Sequence, residues 1–151
     1  MTHHKLRALI VLVLPVIFGF GPCGPIAGGQ LSDPEVSGRI TDFRFVQDEN
    51  RCALEVTGDK VHSVTVNCWA VGKQLFIGCQ DCAGKTWSSV IETNPLARVR
   101  IGPKVYPVKA TRMHDPVAIE RAWRFRLQKY DEGEPGPVPE GYWLFHMGSR
   151  G

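Results

Sequence analysis

Val61-His62-Ser63-Val64-Thr65-Val66-Asn67-Cys68-Trp69-Ala70-Val71-Gly72-Lys73-Gln74-Leu75-Phe76-Ile77-Gly78 is the stretch on which the fold turns. Val64, Val66, Cys68 and Ala70 fall on one side of an extended chain; Ser63, Thr65, Asn67 and Trp69 fall on the other. That period of two predicts a strand over 61–71 with one apolar and one polar face. Gly72-Lys73 is a two-residue link to a second apolar run at 74–78, so the pair reads as a hairpin.

Working outward, the same pattern repeats in short pieces. Residues 40–46 and 52–57 read as strands, ended by Gln47-Asp48-Glu49-Asn50 and Gly58-Asp59. Residues 99–101, Gly102-Pro103 and 104–113 form a second hairpin, in which Pro107 points to an edge strand or a bulge. Residues 142–147 supply a closing strand after the Gly/Pro-rich stretch 132–141. Trp87, Val90 and Ile91 share one helical face, predicting a helix over 86–93 that stops at Asn94-Pro95. A second helix is predicted over 116–130, with Asp115 as N-cap and Pro116 in the first turn. Ile119, Ala122, Trp123, Leu127 and Tyr130 form its apolar stripe. Arg121, Arg124, Arg126 and Lys129 are expected on its solvated side, with Glu120 and Arg124 paired at i,i+4. Short strands, two helices and no βαβ rhythm predict a mainly β chain: an antiparallel barrel with helical inserts.

The ends explain the charge. The chain has 151 residues and a formal net charge of +3. Lys5 and Arg7 precede an apolar run at 8–20, which is followed by small residues to Gly29. A basic start, a short apolar core and a small-residue exit describe a secretory signal over 1–29. Two processing sites compete: lipidation at Cys23, and cleavage after Ala27-Gly28-Gly29. Residues 30–38 read as a linker and 39–151 as the folded domain. Without Lys5 and Arg7 the net charge falls to +1, so nucleic acid is not an expected partner. A membrane contact is expected only through the signal or a lipid anchor. Four cysteines remain in an oxidising compartment. Cys79-Gln80-Asp81-Cys82 reads as a local disulfide or two free thiols ahead of two sharper readings: half a zinc site needs a second pair at similar spacing, and a thioredoxin-type redox dithiol needs a long helix after it where only a short one follows. Cys52 and Cys68 pair if their strands are neighbours.

The order of these pieces resembles a known family. After the 61–78 hairpin come Lys85-Thr86-Trp87, Glu92-Thr93-Asn94-Pro95, Ala97-Arg98-Val99-Arg100-Ile101-Gly102, Val105-Tyr106 and His114-Asp115-Pro116-Val117-Ala118-Ile119. Over roughly residues 40–147 this resembles the pyridoxamine 5'-phosphate oxidase-like and deazaflavin-dependent nitroreductase-like FMN-binding split β-barrel proteins. The resemblance implies a six-stranded antiparallel split β-barrel with two helices, acting as a homodimer with FMN or a deazaflavin at the dimer interface. Lys85 and Thr86 would then meet the cofactor's phosphate, and Ser63, Thr65, Asn67 and Trp69 would line it. Gly84-Lys85-Thr86 at a helix start suits an anion, although the upstream glycine of a P-loop is missing. Ser88 and Ser89 stand where phosphate-binding relatives carry an Arg-Asn pair. Loss of that cation is expected to weaken cofactor affinity on the order of 10- to 100-fold.

Two functions follow from the resemblance. The first is an exported oxidoreductase, at the periplasm or anchored to the cell envelope, that moves hydride to or from a small-molecule ligand. The second is a non-catalytic envelope lipoprotein or binding module that kept the barrel. His62, His114 and His146 are isolated in sequence and receive no catalytic role.

Overall fold

In a computed structural model that describes residues 28–130 and 136–151, the 61–71 stretch is broken once, at Asn67. Its first half, β2 (Val61–Val66), pairs antiparallel with β1 (Cys52–Thr57). Its second half, β3 (Cys68–Val71), turns at Gly72-Lys73 and pairs with β4 (Gln74–Cys79). β5 (Leu96–Ile101), β6 (Lys104–Arg112) and β7 (Trp143–Ser149) complete one sheet in the order β2-β1-β5-β6-β7-β4-β3. The two edges are therefore consecutive pieces of one chain segment. A sheet whose edges meet at a single residue must curl, and with β2 and β3 counted as one bent strand the barrel has six. This is the split β-barrel. The expected single strand over 61–71 is corrected for that reason: the chain has to leave β1 and join β4 to close the sheet.

The two-residue period survives the break. Val66, Cys68 and Ala70 face the inner core with Leu54, Val56, Ile77, Val99, Val108 and Phe145. Trp69 and Val71 face outward with Phe76 and Leu144, under Ala122 of α2 (Pro116–Tyr130). Trp87 and Ile91 of α1 (Thr86–Thr93) join the inner core. Each such side chain, fully buried, stabilises the fold by about 1.5–3 kcal/mol. Asp115 caps α2 as expected, its carboxylate accepting from the Val117 N–H at 3.1 Å.

Three further expectations are corrected. Residues 40–46 form no strand; a 3-10 turn runs over Arg44–Asp48. Phe43 and Val46, three residues apart, both enter the core, and the Asp42 carboxylate accepts from the Arg44 backbone N–H at 3.0 Å. Pro107 lies on an interior strand rather than an edge, because β6 runs between β5 and β7. The β6–β7 ladder begins at Val108↔Ser149, so Pro107 stands beyond its last rung, where its carbonyl accepts from the Arg150 N–H at 3.0 Å. Arg126 and Lys129 are not on a solvated face: both are half-buried, and Lys129 Nζ donates to the Val46 carbonyl at 2.7 Å and the Cys68 carbonyl at 2.5 Å. Glu120 and Arg124 do form the i,i+4 pair, at 2.5 Å.

The expected signal and Cys23 lie outside the described residues, apart from Gly28 and Gly29. Residues 30–38, expected as a linker, are tied to the sheet, with Glu35 forming a parallel bridge to Val105. The Val36 N–H donates to the Val105 carbonyl at 2.8 Å, and the Leu31 N–H donates to buried Glu55, which also pairs with Arg98 at 2.9 Å. Among the described residues no helix is long and apolar enough to cross a membrane.

Candidate functional site

The break at Asn67 opens a cleft of about 400 Å³. Thr65, Val66 and Asn67 form one wall, and Gly78 to Asp81, at the end of β4, form another. Lys85 and Trp87 enter from the start of α1, Trp123 and Arg126 from α2, and Tyr142 from the segment before β7. Five separate pieces of chain meet here because this is where the sheet changes partners.

Packing holds the back of the cleft rigid. Trp123 and Tyr142 meet edge to face with ring centroids 4.9 Å apart. The Arg126 guanidinium lies 4.8 Å from the Trp123 ring, and Trp123 Nε1 donates to the Gly136 carbonyl at 3.0 Å. Gly78 is required by its neighbour: a Cβ there would collide with the Tyr142 hydroxyl and sit 3.1 Å from the tip of the Trp69 ring. Trp69 itself is fully buried, and among the described residues its Nε1 has no hydrogen-bond partner.

Of the residues singled out from sequence, Thr65, Asn67 and Lys85 come together in this cleft. Trp69 lies behind its wall. Ser63 is buried further along β2, where its N–H and carbonyl exchange hydrogen bonds with Gly28 at 2.8 and 2.9 Å. Ser63 borders a second cleft of about 330 Å³ with Asp33 and Arg100, which Thr65 also touches. Thr86 faces a shallow surface beside Gly58 and Asp59, with Lys85 bordering both sites. Ser88 is fully buried, with its hydroxyl donating to the Cys82 and Lys85 carbonyls; Ser89 donates to the Lys85 carbonyl at 3.1 Å. Neither hydroxyl replaces the missing Arg-Asn pair, since both are spent on backbone. Sequence reading missed Arg126 and Tyr142. The three-residue spacing of Arg126 from Trp123 on one helix was the signal available for the first of them.

The residues present suit an anionic, partly aromatic ligand. The volume falls within the range of small-molecule sites, about 300–1,000 Å³. Lys85 and Arg126 supply two cations; Thr65, Asn67 and Gln80 supply neutral donors and acceptors; Asp81 is the one carboxylate on the wall. A flavin nucleotide, with its phosphate and flat ring, fits that donor set. None of His62, His114 and His146 lines the cleft. His146 is half-buried against Phe76, ring centroids 5.5 Å apart, and burial pushes its pKa below the usual imidazole value. Both cysteine pairs are disulfide-bonded: Cys52–Cys68 with Cα atoms 5.9 Å apart and Cys79–Cys82 at 5.5 Å.

By sequence the chain matches no family model and no curated protein. By structure it matches several solved proteins. A candidate pyridoxamine 5'-phosphate oxidase from Listeria innocua superposes with a TM-score of 0.58 at 17% identity, covering 70% of this chain and 88% of that one. A candidate 5-nitroimidazole antibiotic resistance protein from Bacteroides thetaiotaomicron gives 0.59 at 9% identity, covering 74% and 82%. A protein from Mesorhizobium loti described as FAD-binding gives 0.52 at 16% identity, covering 71% and 86%. The chain therefore has the split β-barrel fold of pyridoxamine 5'-phosphate oxidase-like proteins.

Proposed function

We propose that this chain is an exported split-barrel protein that binds a flavin or deazaflavin in the Asn67 cleft and serves hydride transfer to or from a small molecule. The observation that carries the reading is the meeting of Lys85 and Arg126 with Thr65 and Asn67 around one opening. When bound, the tricyclic ring supplies the hydride chemistry, and the protein supplies position and electrostatics. Lys85 and Arg126 neutralise the phosphate. Thr65, Asn67 and Gln80 hydrogen-bond polar edges of the ligand, and the Trp123–Tyr142 pair excludes water from the back wall. The fold neighbour described as FAD-binding supports the ligand class.

Export is supported by the two disulfides, which persist in oxidising compartments. Lipidation at Cys23 would anchor the domain within a short tether of the membrane. Homodimerisation is supported by a fold neighbour described as a domain-swapped dimer. A second copy would cover the cleft from its open side.

The test is a titration of the purified chain with FMN and, separately, with a deazaflavin nucleotide, read by quenching of cofactor fluorescence. Saturable quenching is expected, weakened roughly 10- to 100-fold by Lys85→Ala, the loss of a charge-assisted contact worth about 1.5–3 kcal/mol. Absence of quenching by both at millimolar concentration would refute the flavin reading. That result would favour the binding module, a reading supported by the Ser88 and Ser89 hydroxyls, both of which bond the Lys85 carbonyl.

A further inference from the structure

The two disulfides differ in kind. Cys52 and Cys68 are both buried and tie β1 to β3 across sixteen residues, at the seam of the barrel. Cys79 and Cys82 are three residues apart, at the exit of β4. A bridge that closes so short a loop constrains the unfolded chain far less than the seam bridge does. Its placement is also unequal. Cys82 is fully buried, whereas Cys79 is partly exposed and forms part of the cleft wall. The residues between them, Gln80 and Asp81, are exposed. Asp81 takes a left-handed backbone conformation, φ 53°, and is the one non-glycine residue with positive φ among the described residues.

The surroundings of Cys79 favour a thiolate. Lys85 and Arg126 share the cleft with Cys79, against the single opposing carboxylate of Asp81. Cys82 opens the short turn Cys82–Gly84, which leads directly into α1. One accessible sulfur, one buried partner and nearby cations are what thiol–disulfide exchange requires.

We propose that Cys79–Cys82 is a redox-active disulfide that is reduced by thiols at the mouth of the cleft. A donor thiolate attacks Cys79 Sγ, forming a mixed disulfide and releasing Cys82 as a thiolate. A second donor thiolate attacks the donor sulfur of that mixed disulfide and releases Cys79. The S–S bond of the protein is reduced by two electrons, the two donor thiols are oxidised to one disulfide, and their two protons end on Cys79 and Cys82. Reduction opens the ring that contains Asp81, and Asp81 and Cys79 are both part of the cleft wall. The step involves no flavin and stands or falls apart from the function proposed above.

The test equilibrates the native, full-length protein in reduced and oxidised glutathione, then traps free thiols with an alkylating reagent and maps them by mass spectrometry. Labels are expected on Cys79 and Cys82 together, and on neither Cys52 nor Cys68, without denaturant. A structural bridge stays oxidised in that buffer. In a Cys82→Ser variant, oxidised glutathione is expected to add to Cys79; in Cys79→Ser it is expected to leave buried Cys82 unmodified. Labelling of none of the four cysteines, or of all four at once, would overturn the proposal, as would a folded Cys82→Ser protein that takes no glutathione. If that variant does not fold, the wild-type labelling pattern alone decides.

Discussion

Tyr130→Phe removes one oxygen atom from the seam of the barrel. The Tyr130 hydroxyl accepts from the Cys68 backbone N–H at 2.9 Å and donates to the Cys68 carbonyl at 2.9 Å. These groups are orphans by geometry. Cys68 and Ala70 alternate with the residues that bond to β4, so their backbone groups point away from the sheet, at its free edge. The Ala70 N–H is satisfied by the Gln47 side chain at 3.0 Å, and the Cys68 carbonyl has a second donor in Lys129. Removal of the hydroxyl therefore strands one group only, the Cys68 N–H, on a residue that is fully buried. An unsatisfied buried donor costs about 1–3 kcal/mol. For a domain of this size that corresponds to a fall in Tm of roughly 3–12 °C. Urea unfolding of both proteins under identical oxidising conditions measures the difference, and hydrogen exchange at the Cys68 amide reports its site. A variant that unfolds within about 0.5 kcal/mol of the wild type, with the Cys68 amide equally protected, would refute this account of the seam; ordinary surface substitutions fall in that range.

Other perturbations test other parts. Reduction or replacement of Cys52–Cys68 should cost about 3 kcal/mol, from the entropy of a loop of roughly 16 residues, read as a lower urea midpoint. Arg98→Met should cost about 3 kcal/mol by leaving Glu55, 4% exposed, without its guanidinium, and a Glu55→Gln/Arg98→Met double variant should recover part of that loss. Gly78→Ala should evict the Tyr142 hydroxyl and abolish the fluorescence quenching predicted for flavin, with a smaller effect on Tm than Arg98→Met. Burial lowers the Lys129 pKa from 10.5 to about 8, with Glu49 and Asp48 opposing the shift and Arg51 adding to it. Between those values the unfolded chain holds more protons than the folded one, so stability should rise as pH rises from about 8 toward 10.5. Lys129→Met should flatten that slope in urea titrations made without added thiol.

The legible parts of the fold were those set by local pattern. Residues 52–57, 86–93 and 116–130 carry their periodicity and end signals in adjacent residues, and the structure forms elements at those positions. The parts that misled depend on the sheet as a whole. Nothing local to Asn67 says that β2 and β3 lie at opposite ends of the sheet, and nothing local to Pro107 says that β6 runs between β5 and β7. Residues 40–46 alternate loosely enough to pass for a strand, but Phe43 and Val46 enter the core at a spacing of three. The same division runs through the site. Thr65, Asn67 and Lys85 were reachable from the order of motifs, and the cleft gathers them. Arg126 was assigned to solvent because a helix wheel records which face is polar, not which polar residue stacks on an aromatic neighbour.

The cleft and the closure of the barrel are one construction. A sheet that must close needs a residue at which pairing partners change, and the backbone on either side of it loses ladder hydrogen bonds. α2 supplies replacements at its C-terminal end, where Lys129 and Tyr130 bind the Cys68 backbone. One and two turns earlier on the same helix, Arg126 and Trp123 enter the cleft beside Thr65 and Asn67. Helical spacing ties the two together: moving the end of α2 to release Cys68 also moves Arg126, since residues three and four apart share a face. Tyr130→Phe should therefore weaken anion binding as well as stability, although Tyr130 does not line the cleft. Lys85→Ala should weaken binding alone, because Lys85 is exposed and anchors nothing in the core. If Tyr130→Phe lowers Tm while flavin or phosphate affinity is unchanged, the seam and the site are separate structures that merely adjoin.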